Sequence, residues 1–366
     1  MFAGQKLNVI DPSEGVRTQA QATGNAVAAN VEAGDLSYGS SQLLNAAVTG
    51  QARTRIHGWS PETVTTAMAA GNSGHVAVRD GDLSAGARQV IGWVAPVSAE
   101  ARVRSEPSSS GDTSVSAMAQ GNNHGFDAAY YAGIAAEQAN HSTVAANAKA
   151  KLAHTMFEAN INAMAAANTV TTQGGNANVE VGQVRGGHGP TRATTRGRIE
   201  NGSVVNAMSS AIANDITAAH TAPYLAVVTG QENESDVIAD TRLHVGEFGG
   251  VTATANGIGN TVYAGSYGEE VTLNTLQTNS GEIDVRASFT GGSGYDAGVQ
   301  ATAMGNTVTG FACSQCETTL DATNRQVNHG GVSAVANTRI HGAARGVTGS
   351  AMAVGNSAVY HVTRPN

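Results

Sequence analysis

The chain has 366 residues and a formal net charge of −8, from 20 basic against 28 acidic side chains. Charged residues are 13% and aromatics 4%, while Gly fills 45 positions. That composition excludes a thick core of Leu, Phe and Trp, but it permits a thin one of small and β-branched residues. No basic run interleaved with aromatics offers a nucleic-acid surface, and no apolar stretch approaches the ~20 residues of a spanning helix. A hydrophobic share of 41% with only 7 Pro argues against disorder.

The chain opens MFAGQKLNVIDPSEG, without a charged n-region followed by an apolar h-region. Two readings follow: a cytosolic protein, or an exported one whose leader has been removed. The scarcity of Cys and the overall composition favour export. Residues 1–15 read as an N-terminal segment, a candidate assembly strand whose Lys6 to Ile10 run is predicted to complete the missing half unit of a neighbouring copy. Residues 16–366 read as one continuous array.

A short pattern marks that array. It runs Ala20-Gln21-Ala22-Thr23-Gly24-Asn25 in its first copy and returns to end at Asn72, Asn122, Asn168, Asn214, Asn260, Asn306 and Asn356. The spacings are 47, 50, 46, 46, 46, 46 and 50. Counting back from each Asn, the fifth and third positions are small, as in Ala163 with Ala165 and Ala301 with Ala303. The residues between them vary, for example Met164 and Thr302. Such alternation predicts a strand with two unlike faces, the small residues inward. The Gly-Asn pair is predicted to be a structural corner, because both residues tolerate positive φ.

A second landmark lies elsewhere in the unit. Thr54 to Gly58 is identical to Thr338 to Gly342, and looser copies place Arg55, Arg198, Arg242, Arg286 and Arg339 in a candidate row. Stacked Arg would repel unless paired. The row therefore reads either as a salt-bridge ladder with Glu200, Asp236, Asp240 and Asp284, or as a groove facing an anionic glycan. His57, His244 and His341 recur beside it, as a ligand row or as a solvated edge.

These features predict an all-β fold, a repeat β-solenoid of about eight units of ~46 residues, the last a half unit. Propeller blades need larger core residues than these. Stacked Asn would form a ladder along the axis. One coil per unit gives an axial rise of roughly 40 Å, and two half-coils give about 75 Å.

The remaining motifs carry less. Residues 123–158 are Ala-rich and read as a variable bulge with a helical turn and an exposed Tyr130-Tyr131 pair. Gly291 to Asp296 matches the start of a calcium-binding nonapeptide, but a single copy is a Gly-rich turn more often than a site. Cys313 and Cys316 are the only cysteines. A short-range disulfide fits export, and two free thiols fit the cytosol; a zinc site lacks ligands. No cofactor-binding fingerprint or metal site is expected. Acidic residues do not recur as pairs at unit spacing, which argues against an enzyme. A β-helical polysaccharide-cleaving enzyme remains the alternative.

The Ala-x-Ala-x-Gly-Asn unit resembles the curlin repeat of bacterial surface fibres, although it is about twice as long. The regular Gln series of that repeat is not evident, with Gln19, Gln21, Gln120 and Gln300 scattered. The longer unit, the Ala/Gly/Thr/Asn bias and the Cys-x-x-Cys resemble the holdfast anchor proteins of the D type. That resemblance implies an exported, outer-membrane-associated surface protein that ties an adhesive polysaccharide to the envelope. It also implies a curlin-like partner or self-stacking, and a curli-type outer-membrane export pore.

Overall fold

The computed structural model describes residues 1–10, 12, 14–313 and 318–363, without the side chains of 106–108. The fold is all-β, with no helix among the described residues. The strands are β1 (Phe2–Val9), β2 (Val16–Val31), β3 (Leu36–Leu44), β4 (Val48–Ile56), β5 (Ser60–Val78), β6 (Leu83–Ile91), β7 (Val97–Asn140), β8 (Val144–Arg185), β9 (Thr191–His220), β10 (Tyr224–Asn233), β11 (Val237–Ser266), β12 (Glu270–Asn279), β13 (Ile283–Cys313), β14 (Thr319–Asn328), β15 (Val332–Ile340) and β16 (Ala344–Thr363). The long strands β7 and β8 are 44 and 42 residues, far beyond a straight strand, so they bend while keeping their hydrogen bonds.

All pairings are parallel and connect residues one pass of the chain apart. Gln138 pairs with Gln183, an offset of 45, and Asn72 pairs with Asn122, an offset of 50. The other offsets fall between these, as in β11 against β13, where Val237 pairs with Ile283. Three lines of strands result. The first is β1, β4, the starts of β7, β8, β9, β11 and β13, then β15. The second runs from β2 through β5 and the long strands to β16. The third runs β3, β6, the ends of β7 and β8, β10, β12 and β14. β1, expected to complete a neighbouring copy, instead pairs with β4 of its own chain, and its other edge is open. β15 and β16 are likewise paired on one edge only.

Alternation places the small residues inside. Ala163, Ala165, Ala301 and Ala303 are fully buried, while Met164 is 38% exposed. The interior forms two apolar clusters. One joins the first line to the small residues before each Asn, with Val97, Ala101 and Ala117 as members. The other joins the residues after each Asn to the third line, including Val76, Leu83 and Phe126.

The strands run on through Gly-Asn, and the Gly serves a different need from the one expected. Alternation resets there: Ala69 is buried, Ala70 is not, and then Gly71 and Asn72 are buried in succession. Positive φ is not the reason, since the glycines with positive φ are Gly34, Gly81, Gly174 and Gly189. Space is the reason. A Cβ on Gly71 would lie 2.8 Å from the Gly121 carbonyl oxygen, and one on Gly305 would lie 2.4 Å from that of Gly355. Ala167 and Ala213 stand at the same position in two copies, so the constraint is one of fit and not absolute.

Candidate functional site

Two columns of buried amides cross the interior where the apolar clusters meet. In the first, each corner Asn donates through Nδ2 to Oδ1 of the Asn one pass later. The sequence Asn25, Asn72, Asn122, Asn168, Asn214, Asn260, Asn306, Asn356 is linked by seven such bonds of 2.8–2.9 Å. The second Nδ2 proton goes to a third-line carbonyl, as in Asn72 to Val90 O at 3.0 Å and Asn168 to Val184 O at 3.0 Å. That bond fixes which end of each amide is nitrogen, and hence the direction of the column. Six of the eight, Asn72 through Asn306, are fully buried.

The second column is glutamine, and it was not read from the sequence. Gln42, Gln89, Gln138, Gln183, Gln231, Gln277 and Gln326 occupy one position of the third line. Each after the first donates through Nε2 to Oε1 of the Gln one pass earlier, as in Gln89 to Gln42 at 2.6 Å and Gln326 to Gln277 at 2.8 Å. Each also donates to the carbonyl following a corner Asn, for example Gln138 to Thr169 O at 2.8 Å. The two columns therefore point their donors in opposite directions along the stack. The signal was available: in four copies a Gln stands 17 residues after the Asn, as Gln42 does after Asn25.

The Arg side chains do not form the single row expected of them. Arg55, Arg198 and Arg339 share one column of the first line with Arg104, Lys151, His244 and Thr290. Arg242 lies in the neighbouring column, two residues earlier in the strand, behind Lys6, Arg53, Arg102, Lys149 and Arg196. Arg286 lies two residues earlier again, opposite Asp240. Eleven of the 20 basic residues thus stand in two adjacent columns on one sheet face. Neighbours in a column are ~4.8 Å apart along the stack. Like charges at that spacing repel by about 1 kcal/mol even in water.

Some of these cations meet carboxylates. Arg53 meets Glu100 at 3.4 Å and Arg242 meets Asp240 at 3.0 Å. Arg286 meets Asp284 at 2.9 Å, again two residues away in the same strand and not across the stack. Burial raises the pKa of Glu100, but the hydrogen bond from Gln51 and the charges of Arg53 and Lys149 outweigh it and hold the carboxyl below its ordinary value. Arg102, Arg196 and Arg198 have no carboxylate within ion-pair distance among the described residues. Arg102, Lys149, Lys151, Arg196, Arg198 and Arg242 rim a shallow groove of about 370 Å³. Lys6, Arg53, Arg55, Arg102 and Arg104 line a second one of about 200 Å³ towards β1.

A third polar column was also missed. Asn233 donates to Asn279, and Asn279 to Asn328, at 2.7 Å each. Arg185 takes the equivalent position between Asn140 and Asn233 and is fully buried. Its acceptors are neutral: Asn140 O at 2.9 Å, Gly186 O at 2.8 Å, Thr191 Oγ1 at 3.1 Å and Gly189 O. Burial lowers its pKa to about 10. On the adjoining corner Trp93, 56% exposed, stacks on His141 at 4.8 Å and meets His188 edge-on at 4.0 Å.

The remaining expectations fall as follows. Residues 123–158 are strand throughout apart from a short turn, with no helix. Tyr130 is 59% exposed, and Tyr131 accepts a hydrogen bond from Asn178. Gly291 to Asp296 lies within β13, and the Asp296 carboxylate pairs with Arg345, which also lies over the Tyr295 ring. No group of three or more His, Cys, Asp or Glu is placed to hold a metal among the described residues. Cys313 ends β13 half-buried, and Cys316 lies outside the described residues.

Neither the curated proteins nor the solved structures contain a significant match to the chain. A family model does match, over residues 10–282, and its description is holdfast attachment protein D. That span is three quarters of the chain and includes six of the eight corner Asn and nearly all of the cationic face. The chain belongs to the holdfast attachment protein D family, and its role is that of an exported structural and adhesive protein of the cell surface.

Proposed function

We propose that the chain is a β-solenoid of eight single-coil units, its last coil shorter than the others, and that it anchors an adhesive polysaccharide to the envelope by stacking end to end. The partner at each end is a second copy or a curlin-like subunit, and a curli-type outer-membrane pore is the export route. The uniform parallel offset supports the solenoid. Family membership supports the anchoring role.

One observation carries the stacking. The Asn column is directional and unfinished at both ends. Asn25 accepts no hydrogen bond at Oδ1 among the described residues, while Asn356 at the other end is exposed and has donated only to Gln326 O at 3.5 Å. The second line is open beside both: Val347, Met352 and Val359 are 44–55% exposed on β16. An open strand edge with apolar residues is a template for another chain. Copies placed head to tail would continue the column with the same donor-to-acceptor sense, whereas head-to-head copies would oppose donor to donor or acceptor to acceptor.

Sedimentation and electron microscopy of the purified chain test this. Rods whose lengths are multiples of one subunit are expected, and Lys6→Pro, which removes an edge N–H from β1, should shorten them. A chain that stays monomeric at high concentration and forms no rods with a curlin-like subunit would overturn the stacking.

A further inference from the structure

We propose that the outward face of the first line of strands binds an acidic polysaccharide, its carboxylate or sulfate groups lying along the two cationic columns. The inference rests on the reading that this protein attaches to a polysaccharide, and it specifies the ligand class and the surface.

Charge placement is the first argument. The protein is acidic overall, yet more than half of its basic side chains stand on one face of one line of strands. A purely structural arrangement would alternate signs along the stack, as it does elsewhere: Arg79 lies beside Glu32 of the preceding pass, and Arg88 beside Glu137 of the following one. On the cationic face the preceding and following passes instead repeat the cation. Arg53 pairs in register with Arg102, Arg102 with Lys149, and Lys149 with Arg196. Glu100 and Asp240 offset part of this repulsion, and a polyanion lying over Arg102, Arg196 and Arg198 would offset the rest.

Shape is the second argument. The cations project from a sheet, so they form parallel rails with a groove between and beside them. Their repeat is the rung spacing of the sheet, ~4.8 Å, close to the rise of one sugar in an extended chain. A linear polymer with one anionic group per sugar therefore meets a cation at every step, without bending. The outward residues of β4 and the starts of β7, β8 and β9 include no aromatic side chain, for example Thr49, Gln51, Arg53 and Arg55 on β4. Single-stranded nucleic acid needs stacking platforms of that kind, so the face favours a polymer held by its charges alone.

The test is calorimetric titration of the full chain with polygalacturonate, a neutral glucan and duplex DNA, at low and high salt. Wild-type protein should bind polygalacturonate, less tightly as salt rises. The triple variant R102Q/K149Q/R196Q, altered only at outward positions, should bind it on the order of a hundredfold more weakly. R79Q/R88Q, with the same kind of change away from the face, should bind as wild type does. Circular dichroism checks that both variants fold. Polygalacturonate binding that the triple variant leaves unchanged would overturn the proposal, and so would DNA bound as tightly as polygalacturonate. Binding of the neutral glucan alone would overturn the acidic groove while leaving attachment to polysaccharide intact. Failure to bind either glycan would remove both.

Discussion

The Asn column and the cationic columns are built by the same operation and have opposite consequences. Each repeats one chemical group, an amide or a cation, at one position of successive passes. An amide carries both donor and acceptor, so stacking satisfies each copy with the next, and burial strengthens the result. A guanidinium or ammonium carries donors only, so stacking satisfies nothing and adds repulsion. The first arrangement belongs inside, where each copy completes the next. The second belongs outside and needs something else to complete it. Repetition alone therefore says nothing about whether a column serves stability or binding; the hydrogen-bonding capacity of the repeated group does.

Breaking the amide column should have the largest effect. Asn168 accepts from Asn122 and donates to Asn214, both buried, and also donates to the partly buried Val184 O. Asn168→Ala removes all three bonds, two of them fully buried, and should cost roughly 3–4 kcal/mol. Asn356→Ala at the exposed end should cost only a few tenths, so denaturation of the two variants measures what burial adds to the same residue.

Acid should have the next largest effect, through a residue that breaks a column. His124 is fully buried where Val170, Val262 and Val308 stand in later passes, and neither ring nitrogen has a hydrogen-bond partner among the described residues. Burial, with a smaller contribution from the charge of His75, lowers its pKa from 6.5 to about 4. The unfolded chain therefore takes up a proton before the folded one does. Stability is full above pH 6.5 and falls towards pH 4, by about 3 kcal/mol at that site. Chemical denaturation across that range should show the loss, and His124→Val should flatten it. His220, held neutral mainly by burial, leaves a residual slope of the same sign.

Overpacking ranks third. Ala165→Leu should cost ~1–3 kcal/mol in a closely spaced interior, whereas Met164→Leu, one residue away and facing outward, should cost less than 1. Thermal melts compare the two. The smallest effect expected is a gain. Arg102→Gln removes like-charge contacts with Arg53 and Lys149 and should stabilise the free protein by about 0.2–1 kcal/mol while weakening any polyanion complex. A variant that loses stability instead would mean that the face is complete without a ligand.

How much of this was legible follows from the same comparison. The corner Asn were readable because the residue, its Gly neighbour and the flanking small residues all recur together. The Gln column has no such flanks: Leu43, Val90, Ala139 and Val184 follow it, and its distance from the Asn varies from 15 to 20 residues. The cationic columns were only half readable. Lys6, Lys149 and Lys151 interrupt the Arg in them, and the Arg pattern alone does not separate Arg55, Arg242 and Arg286, which lie in three adjacent columns. The Gly at the corner was identified for the wrong property, because close approach of the next backbone and positive φ leave the same residue in the sequence. Arg185 and His124 each occur once, so repetition could not expose them.

The central claim is that one unit of about 46 residues makes one rung. Gln21 and Met352 occupy the same outward position in the first and last passes, seven rungs apart along the column through Met68, Met118, Met164, Ser210, Asn256 and Thr302. With both native cysteines replaced by Ser and spin labels on Gln21→Cys and Met352→Cys, the account predicts a narrow distance distribution centred near roughly 34 Å. A distribution centred near about 67 Å would mean two rungs per unit, and would contradict the registers, the amide columns and the spacing of the cationic face together.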